Sequence, residues 1–181
     1  MPRPFKKIVL GVCGSIAAYK AADMIRLFQE KGCDVTVVMT KEAAEFITPL
    51  TLATLSGKNI YSDMFTKEAS GQAWEMGHIE LSKADAIVVA PATANMIGKM
   101  ANGLADDFLT TLLIASRAPI FMAPAMNEDM YKNAIVQENC EKLKKNGVRF
   151  IEPVKGRLAC GIVGDGHLAD VQDIVKAVLK N

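Results

Sequence analysis

The sequence predicts an α/β domain in which a parallel sheet carries helices on both faces. Three observations predict it. Short β-branched runs recur at residues 8–12, 35–39, 86–90, 120–123 and 149–151, and helix-like stretches separate them, as parallel strands joined by crossovers require. The runs are continuously apolar rather than alternating, the pattern of strands covered on both sides. A glycine-bearing turn comes after the first run and opens a helix, the strand–turn–helix order of a crossover unit.

The first run ends in Gly11-Val12-Cys13-Gly14-Ser15. Its glycines allow close backbone approach, and Ser15 can cap a helix over 15–30 whose free N–H groups face an anion. A phosphate-bearing ligand could sit here. The spacing is G-x-x-G rather than G-x-G-x-x-G, and the second run leads into Thr40 where a nicotinamide ribose would want an acidic residue, so NAD is disfavoured. The third run leads into Pro91-Ala92-Thr93-Ala94-Asn95 and helices over 94–100 and 105–115. The fourth leads into Pro124-Ala125-Met126-Asn127 and a helix over 135–145, and a final helix spans 170–179. Ligands of such sheets gather beyond the carboxyl ends of the strands. The two polar loops there can offer hydrogen bonds to a planar heterocycle with carbonyl and imide edges. Two stretches, 56–77 and 153–167, break the rhythm, the second with glycines at 156, 161, 164 and 166. Loops of that length in compact domains are usually functional.

Composition narrows the classes. Lys+Arg 21 against Asp+Glu 20 leaves no basic stripe for nucleic acid. The apolar runs are strand-sized, far short of a membrane span, and residues 8–12 are too few for a signal-peptide core. Cys13, Cys33, Cys140 and Cys160 form no C-x-x-C pair, and only His78 and His167 could join them on a metal. Reduced thiols in the cytoplasm are expected, with Cys13, Cys33 and Cys140 as packing residues and Trp74 in the core rather than on a ligand. The length suits one domain, 1–181.

Five ordered motifs carry a resemblance over nearly the whole chain: Gly14-Ser15-Ile16-Ala17-Ala18, His78-Ile79-Glu80-Leu81, the 91–95 loop continuing to Asn102-Gly103-Leu104-Ala105-Asp106, Pro124-Ala125-Met126-Asn127, and Leu158-Ala159-Cys160-Gly161. Together they resemble the homo-oligomeric flavin-containing cysteine decarboxylases, which include phosphopantothenoylcysteine decarboxylases and lantibiotic peptidyl-cysteine decarboxylases. The resemblance implies a single Rossmann-like, flavodoxin-like domain with a flexible C-terminal substrate clamp. It implies FMN as cofactor, held by Gly14, Ser15, Ile16, Thr40, Pro91, Ala92, Thr93, Ala94, Asn95 and Ala125. It makes His78 and Cys160 catalytic, and gives substrate contacts to Asn127, Met130, Arg157, Leu158 and Ala159, with Asn127 on the carboxylate and Cys160 in the clamp. Two departures stand out: Tyr131 where tryptophan is frequent, and His167 where arginine is common, the latter bearing on how the clamp is anchored or meets substrate phosphate.

The implied reaction turns 4'-phosphopantothenoylcysteine (PPC) into 4'-phosphopantetheine and CO2, a step of coenzyme A synthesis. Thiol oxidation to a thioaldehyde lets the carboxylate leave, and the enethiol is then reduced again, with FMN supplying the electronics and the protein the orientation. His78 would serve as base or orient the carboxylate. The resemblance further implies a homotrimer or a tetramer of trimers, with the 105–115 helix as one source of interface. A separate synthetase is expected to supply the substrate, because no synthetase sequence comes after the last helix. Alternatives are a peptidyl-cysteine decarboxylase of lantibiotic maturation and a non-catalytic regulatory flavoprotein, whose relatives carry acidic tails. A flavin prenyltransferase fits the His78, Asn127 and Cys160 combination less well.

Overall fold

The computed structural model describes residues 6–64, 77–157, 159, 161 and 163–180, with 77 and 78 described in their backbone alone. Each of the five apolar runs is a strand: β1 (Lys7–Val12), β2 (Asp34–Met39), β3 (Ala86–Ala92), β4 (Ile120–Pro124) and β5 (Arg149–Phe150). They form one parallel sheet in the order β2-β1-β3-β4-β5. Ile8 lies opposite both Val35 and Ala86, and Val88 lies opposite Phe121. The helices are α1 (Ala21–Glu30), α2 (Pro49–Ser56), α3 (Gly77–Leu81), α4 (Ala94–Ala101), α5 (Phe108–Ala115), α6 (Glu128–Lys132), α7 (Ala134–Lys145) and α8 (Val171–Leu179).

Period-two side-chain alternation explains why the strands read as unbroken apolar runs. Ile8, Leu10, Val12, Val35, Val37 and Val88 enter a core roofed by Met24, Ile25 and Phe28 of α1, Leu52 of α2 and Ile174, Val175 and Val178 of α8. Val9, Val38, Ile87, Val89 and Met122 enter a second core, roofed by Met96 and Ile97 of α4, Phe108, Leu109 and Leu112 of α5 and Leu143 of α7. Burying each of these larger side chains is worth about 1.5–3 kcal/mol, so both faces of the sheet contribute to stability.

The differences from the sequence reading have local causes. The helix expected over 15–30 is a tight 3-10 turn, Ile16–Lys20, followed by α1. Ala18 N–H donates to the Ser15 carbonyl at 2.8 Å, three residues back, which winds the first turn tightly. The helix expected from 105 starts at Phe108, because Asp107 and Thr110 close a reciprocal capping box. Lys99 also holds Asp106 at 2.8 Å and Asp107 at 3.2 Å, so the 102–106 motif is a fastened link between α4 and α5. Helix α2 was hidden in the sequence because its apolar residues have no one-sided spacing, although Thr48 caps it and Pro49 opens it. Helix α5 buries Phe108, Leu109, Leu112 and Leu113 within its own chain, while Ile114 stays exposed.

The glycine-rich stretch near the end is an antiparallel ribbon of β6 (Val154–Arg157) and β7 (Val163–His167), with Gly156 opposite Gly164. Gly166 has φ +117°, and any side chain there would collide with the Met126 carbonyl. Met126 N–H in turn donates to the Gly166 carbonyl at 3.0 Å. Lys132 fastens the same ribbon to α6 through Glu128 at 2.6 Å and Asp165 at 3.2 Å. Gly166→Ala is therefore expected to cost about 1–3 kcal/mol or more and to loosen the ribbon first. Amide exchange would show faster exchange at Met126 than at β1 amides, whereas unchanged protection at Met126 would disprove the seating.

Candidate functional site

Backbone hydrogen bonds stitch the carboxyl ends of the strands into one surface. Thr40 N–H donates to the Val12 carbonyl at 3.0 Å, Cys13 N–H to Pro91 at 3.3 Å, and Ala125 N–H to Ala92 at 3.0 Å. Met126, joined to Gly166, extends the line to the ribbon. From β1 the chain turns to α1 on one face, while from β3 it turns to α4 on the other. The topological switch therefore lies between β1 and β3, the place where open sheets of this strand order bind their ligands.

Side chains at this edge hold its loops. Ser15 Oγ accepts from Ala17 N–H at 3.3 Å, and Thr93 Oγ1 accepts from Met96 N–H at 3.3 Å. Asn127 Oδ1 accepts from Asp129 N–H at 2.8 Å and Met130 N–H at 3.4 Å, starting α6. Gly14 is small because the loop after β1 presses on Glu42, just beyond β2. Cys13 is fully buried, and burial pushes its thiol up to about 12, against a backbone hydrogen bond at Thr93. It is a neutral packing residue at pH 7, and Cys33 and Cys140 are buried as well.

Thr40 stands apart. The residue is 8% exposed, and its hydroxyl has no hydrogen-bond partner among the described residues. A buried polar group left unmatched costs about 1–3 kcal/mol. This orphan lies at the end of β2, bonded through its backbone to the end of β1. A phosphate- or carbonyl-bearing cofactor reaching the strand ends would satisfy it, so the residues present fit FMN.

A cleft of about 510 Å³ opens alongside. It brings together Ser15, Ile16, Ala125, Asn127, Arg157 and Ala159 from the expected set. Gly14, Thr40 and the 91–95 loop join the same edge through the backbone bonds above rather than through the cleft wall. Met130 is not in the wall; it sits 48% exposed on α6. His78 lies in α3, which packs beside α5, but its side chain is outside the described atoms. Leu158, Cys160 and Trp74 fall outside the described residues.

The cleft also contains residues that the sequence reading missed or left without a role: Tyr19, Lys20, Met126, Gly166 and His167. Lys20 Nζ approaches His167 Nε2 at 3.2 Å, and His167 Nδ1 approaches the Arg157 carbonyl at 3.2 Å. Lys20 closes the 3-10 turn that Ile16 opens, and its partner on the ribbon left no mark in the local sequence. Tyr131, the other departure, donates from its hydroxyl to Glu152 at 2.5 Å, and Lys144 holds the second Glu152 oxygen at 2.9 Å. Burial and the adjacent Glu152 carboxylate raise its phenol above the ordinary range. The phenol thus ties α6 to the exit of β5.

Fold and cleft together define a doubly wound α/β domain with a cleft at the carboxyl ends of its strands whose wall carries Lys20 and Arg157. The Flavoprotein family profile matches residues 2–181, and the chain belongs to that family. It is 47% identical over 171 residues to the coenzyme A biosynthesis bifunctional protein CoaBC of Vibrio vulnificus (strain YJ016), covering 94% of this chain and 42% of that protein. The chain thus spans about two fifths of the length of that relative. Among solved structures it resembles a PPC decarboxylase mutant complexed with pantothenoylaminoethenethiol, with TM-score 0.85 and 34% identity over 96% of each chain. It also resembles the FMN-dependent cysteine decarboxylase SpaF, with TM-score 0.82 and 31% identity over 97% of this chain and 96% of the other. Among the described residues no helix is long and apolar enough to cross a membrane.

Proposed function

We propose that this chain is an FMN-dependent decarboxylase of PPC, releasing CO2 and 4'-phosphopantetheine for coenzyme A synthesis. The observation that carries the reading is the orphaned Thr40 hydroxyl at the carboxyl end of β2, on the same strand-end edge as a cleft containing Asn127 and Arg157. The likeness to CoaBC and to a PPC decarboxylase supports this substrate over a peptide, and SpaF keeps the peptidyl-cysteine reading as the rival to test.

Bound FMN would supply a two-electron acceptor and donor, so that a cysteine with no electron sink of its own can lose CO2 without net redox change. Gly14, Ser15, Ile16, Thr40, the 91–95 loop and Ala125 would hold it at the strand ends. Asn127 is oriented by its own cap, since its oxygen is engaged by two N–H groups and its amide –NH2 is the half able to donate to a carboxylate. Met130, Arg157, Leu158 and Ala159 would complete the substrate contacts, Arg157 as a cation at the mouth. His78 would act as base or orient the carboxylate, and Cys160 would protonate the enethiol in the last half reaction. The residues act within one unit, 1–181, in the cytoplasm, as a homotrimer or a tetramer of trimers. Phe46, Leu50 and Leu104 are large exposed hydrophobic side chains that such an assembly could cover. A ligase joining cysteine to 4'-phosphopantothenate must supply the substrate.

The FMN-loaded protein should release CO2 from PPC and none from a peptide ending in cysteine; the opposite preference would overturn the assignment. Cys160→Ser should still release CO2 but accumulate an enethiol, because a hydroxyl is a far weaker acid than a thiol of pKa about 8.5. That the similar solved PPC decarboxylase is a cysteine-to-serine mutant complexed with an aminoethenethiol supports the expectation. Normal formation of 4'-phosphopantetheine by the variant would move the proton donor elsewhere.

A further inference from the structure

The cleft is asymmetric in charge. Its wall carries Lys20, Arg157 and His167 and, among the described residues, no carboxylate, in a chain whose charges otherwise nearly cancel. Lys20 is half-buried and makes no ion pair with any described carboxylate, whereas Lys58, Lys99, Lys132 and Lys144 all do. Its hydrogen-bond partner is the imidazole of His167. The Arg157 carbonyl can only accept, so the bond at Nδ1 places the ring proton there and leaves Nε2 bare as an acceptor for the Lys20 ammonium. The ring lies between an ammonium and a carbonyl, and the ammonium keeps donors beyond the one it gives to Nε2. An ammonium with a weak neutral partner, in a half-covered wall without counter-charge, is arranged to receive an anion.

We infer that Lys20, positioned by His167, recognises the phosphate end of the substrate and sets the preference for phosphorylated over unphosphorylated or peptidic cysteine compounds. The inference rests on the proposed decarboxylation and deepens it. Asn127 and Lys20 line one cleft, so a ligand whose carboxylate meets the first can reach the second with a distant anionic group. Lys20 belongs to the turn before α1 and His167 to the ribbon, so a phosphate taken up there would also bridge ribbon and domain. His167 is the positioning residue: by accepting from Lys20 it holds the ammonium at the cleft wall.

Phosphate could also come from FMN, and the test separates the two sources. With the full FMN-loaded chain, kcat/KM would be measured for PPC and for its dephosphorylated form, alongside affinities for FMN and riboflavin, in wild type, Lys20→Met and Lys20→Arg. The preference of the wild type for PPC should fall about 30-fold or more in Lys20→Met, mainly through KM, as expected on losing a charge-assisted contact. Lys20→Arg should recover much of it, and the FMN-to-riboflavin affinity ratio should stay put. Equal loss on both substrates would make Lys20 structural and overturn the inference. A selective loss of FMN over riboflavin would overturn it too, by giving the pair to the cofactor. If the wild type decarboxylates neither compound, the proposed function fails, and calorimetry still decides the pair. Lys20→Met must then lose affinity for 4'-phosphopantetheine but not for pantetheine, and no such difference would refute the role.

Discussion

Asn127→Asp should leave a folded, flavin-binding protein that has lost turnover by roughly 100-fold or more. The fold survives because aspartate caps a helix as well as asparagine does, and its charge is favoured at a helix N-terminus. The Oδ1 contacts to Asp129 and Met130 N–H, at 2.8 and 3.4 Å, can persist. The other half of the side chain changes, where a donor amide becomes a second carboxylate oxygen. A substrate carboxylate then loses a hydrogen bond worth about 1.5–3 kcal/mol and meets a like charge, and each 1.4 kcal/mol is about a factor of ten. Circular dichroism and flavin fluorescence should match wild type while kcat/KM for PPC collapses. Asn127→Ala provides the converse, a lost cap with a melting point several degrees lower. Near-normal turnover in Asn127→Asp would show that Asn127 serves only its own turn.

The sheet was legible because burial on both faces leaves a plain mark: five apolar runs, each of strand length, became five parallel strands. The fold's edge was legible for the same reason, since the chain can leave a strand buried on both faces only through a loop at its end. Helix α2 was not, because Leu52 is buried and Leu55 packs on the core in part while Leu50 stays exposed, which leaves no clean apolar stripe. The terminal ribbon was not, because its glycines look like freedom in sequence yet serve close approach in the structure. Gly156 lies under the His167 ring, and Gly166 under the Met126 carbonyl. Lys20 escaped notice for a different reason. A lysine in a helical stretch is usually a solvated charge, and only the ribbon 147 residues away reveals its partner. Motif resemblance located Thr40 and Asn127, but it could not say that one hydroxyl is orphaned while the other residue is a cap.

Thr40→Val should move two measurements in opposite directions. Valine keeps the shape of threonine and removes the hydroxyl, which is buried at the end of β2 without a hydrogen-bond partner among the described residues. The flavin-free protein sheds an uncompensated desolvation cost, so it should gain about 1 kcal/mol of stability. That is several degrees in melting temperature for a domain of this size, roughly 2–4 °C. The flavin-bound protein loses the bond that the hydroxyl is proposed to make, which for a charged acceptor is worth about 1.5–3 kcal/mol, or about ten- to a hundred-fold in FMN affinity. The strand ends themselves should not shift, because Thr40 N–H keeps its 3.0 Å bond to Val12. Differential scanning calorimetry without flavin, and fluorescence titration with FMN, read the two effects separately. A variant that is less stable without flavin would mean that the hydroxyl already has a partner. One that binds FMN as tightly as wild type would remove Thr40 from the cofactor site.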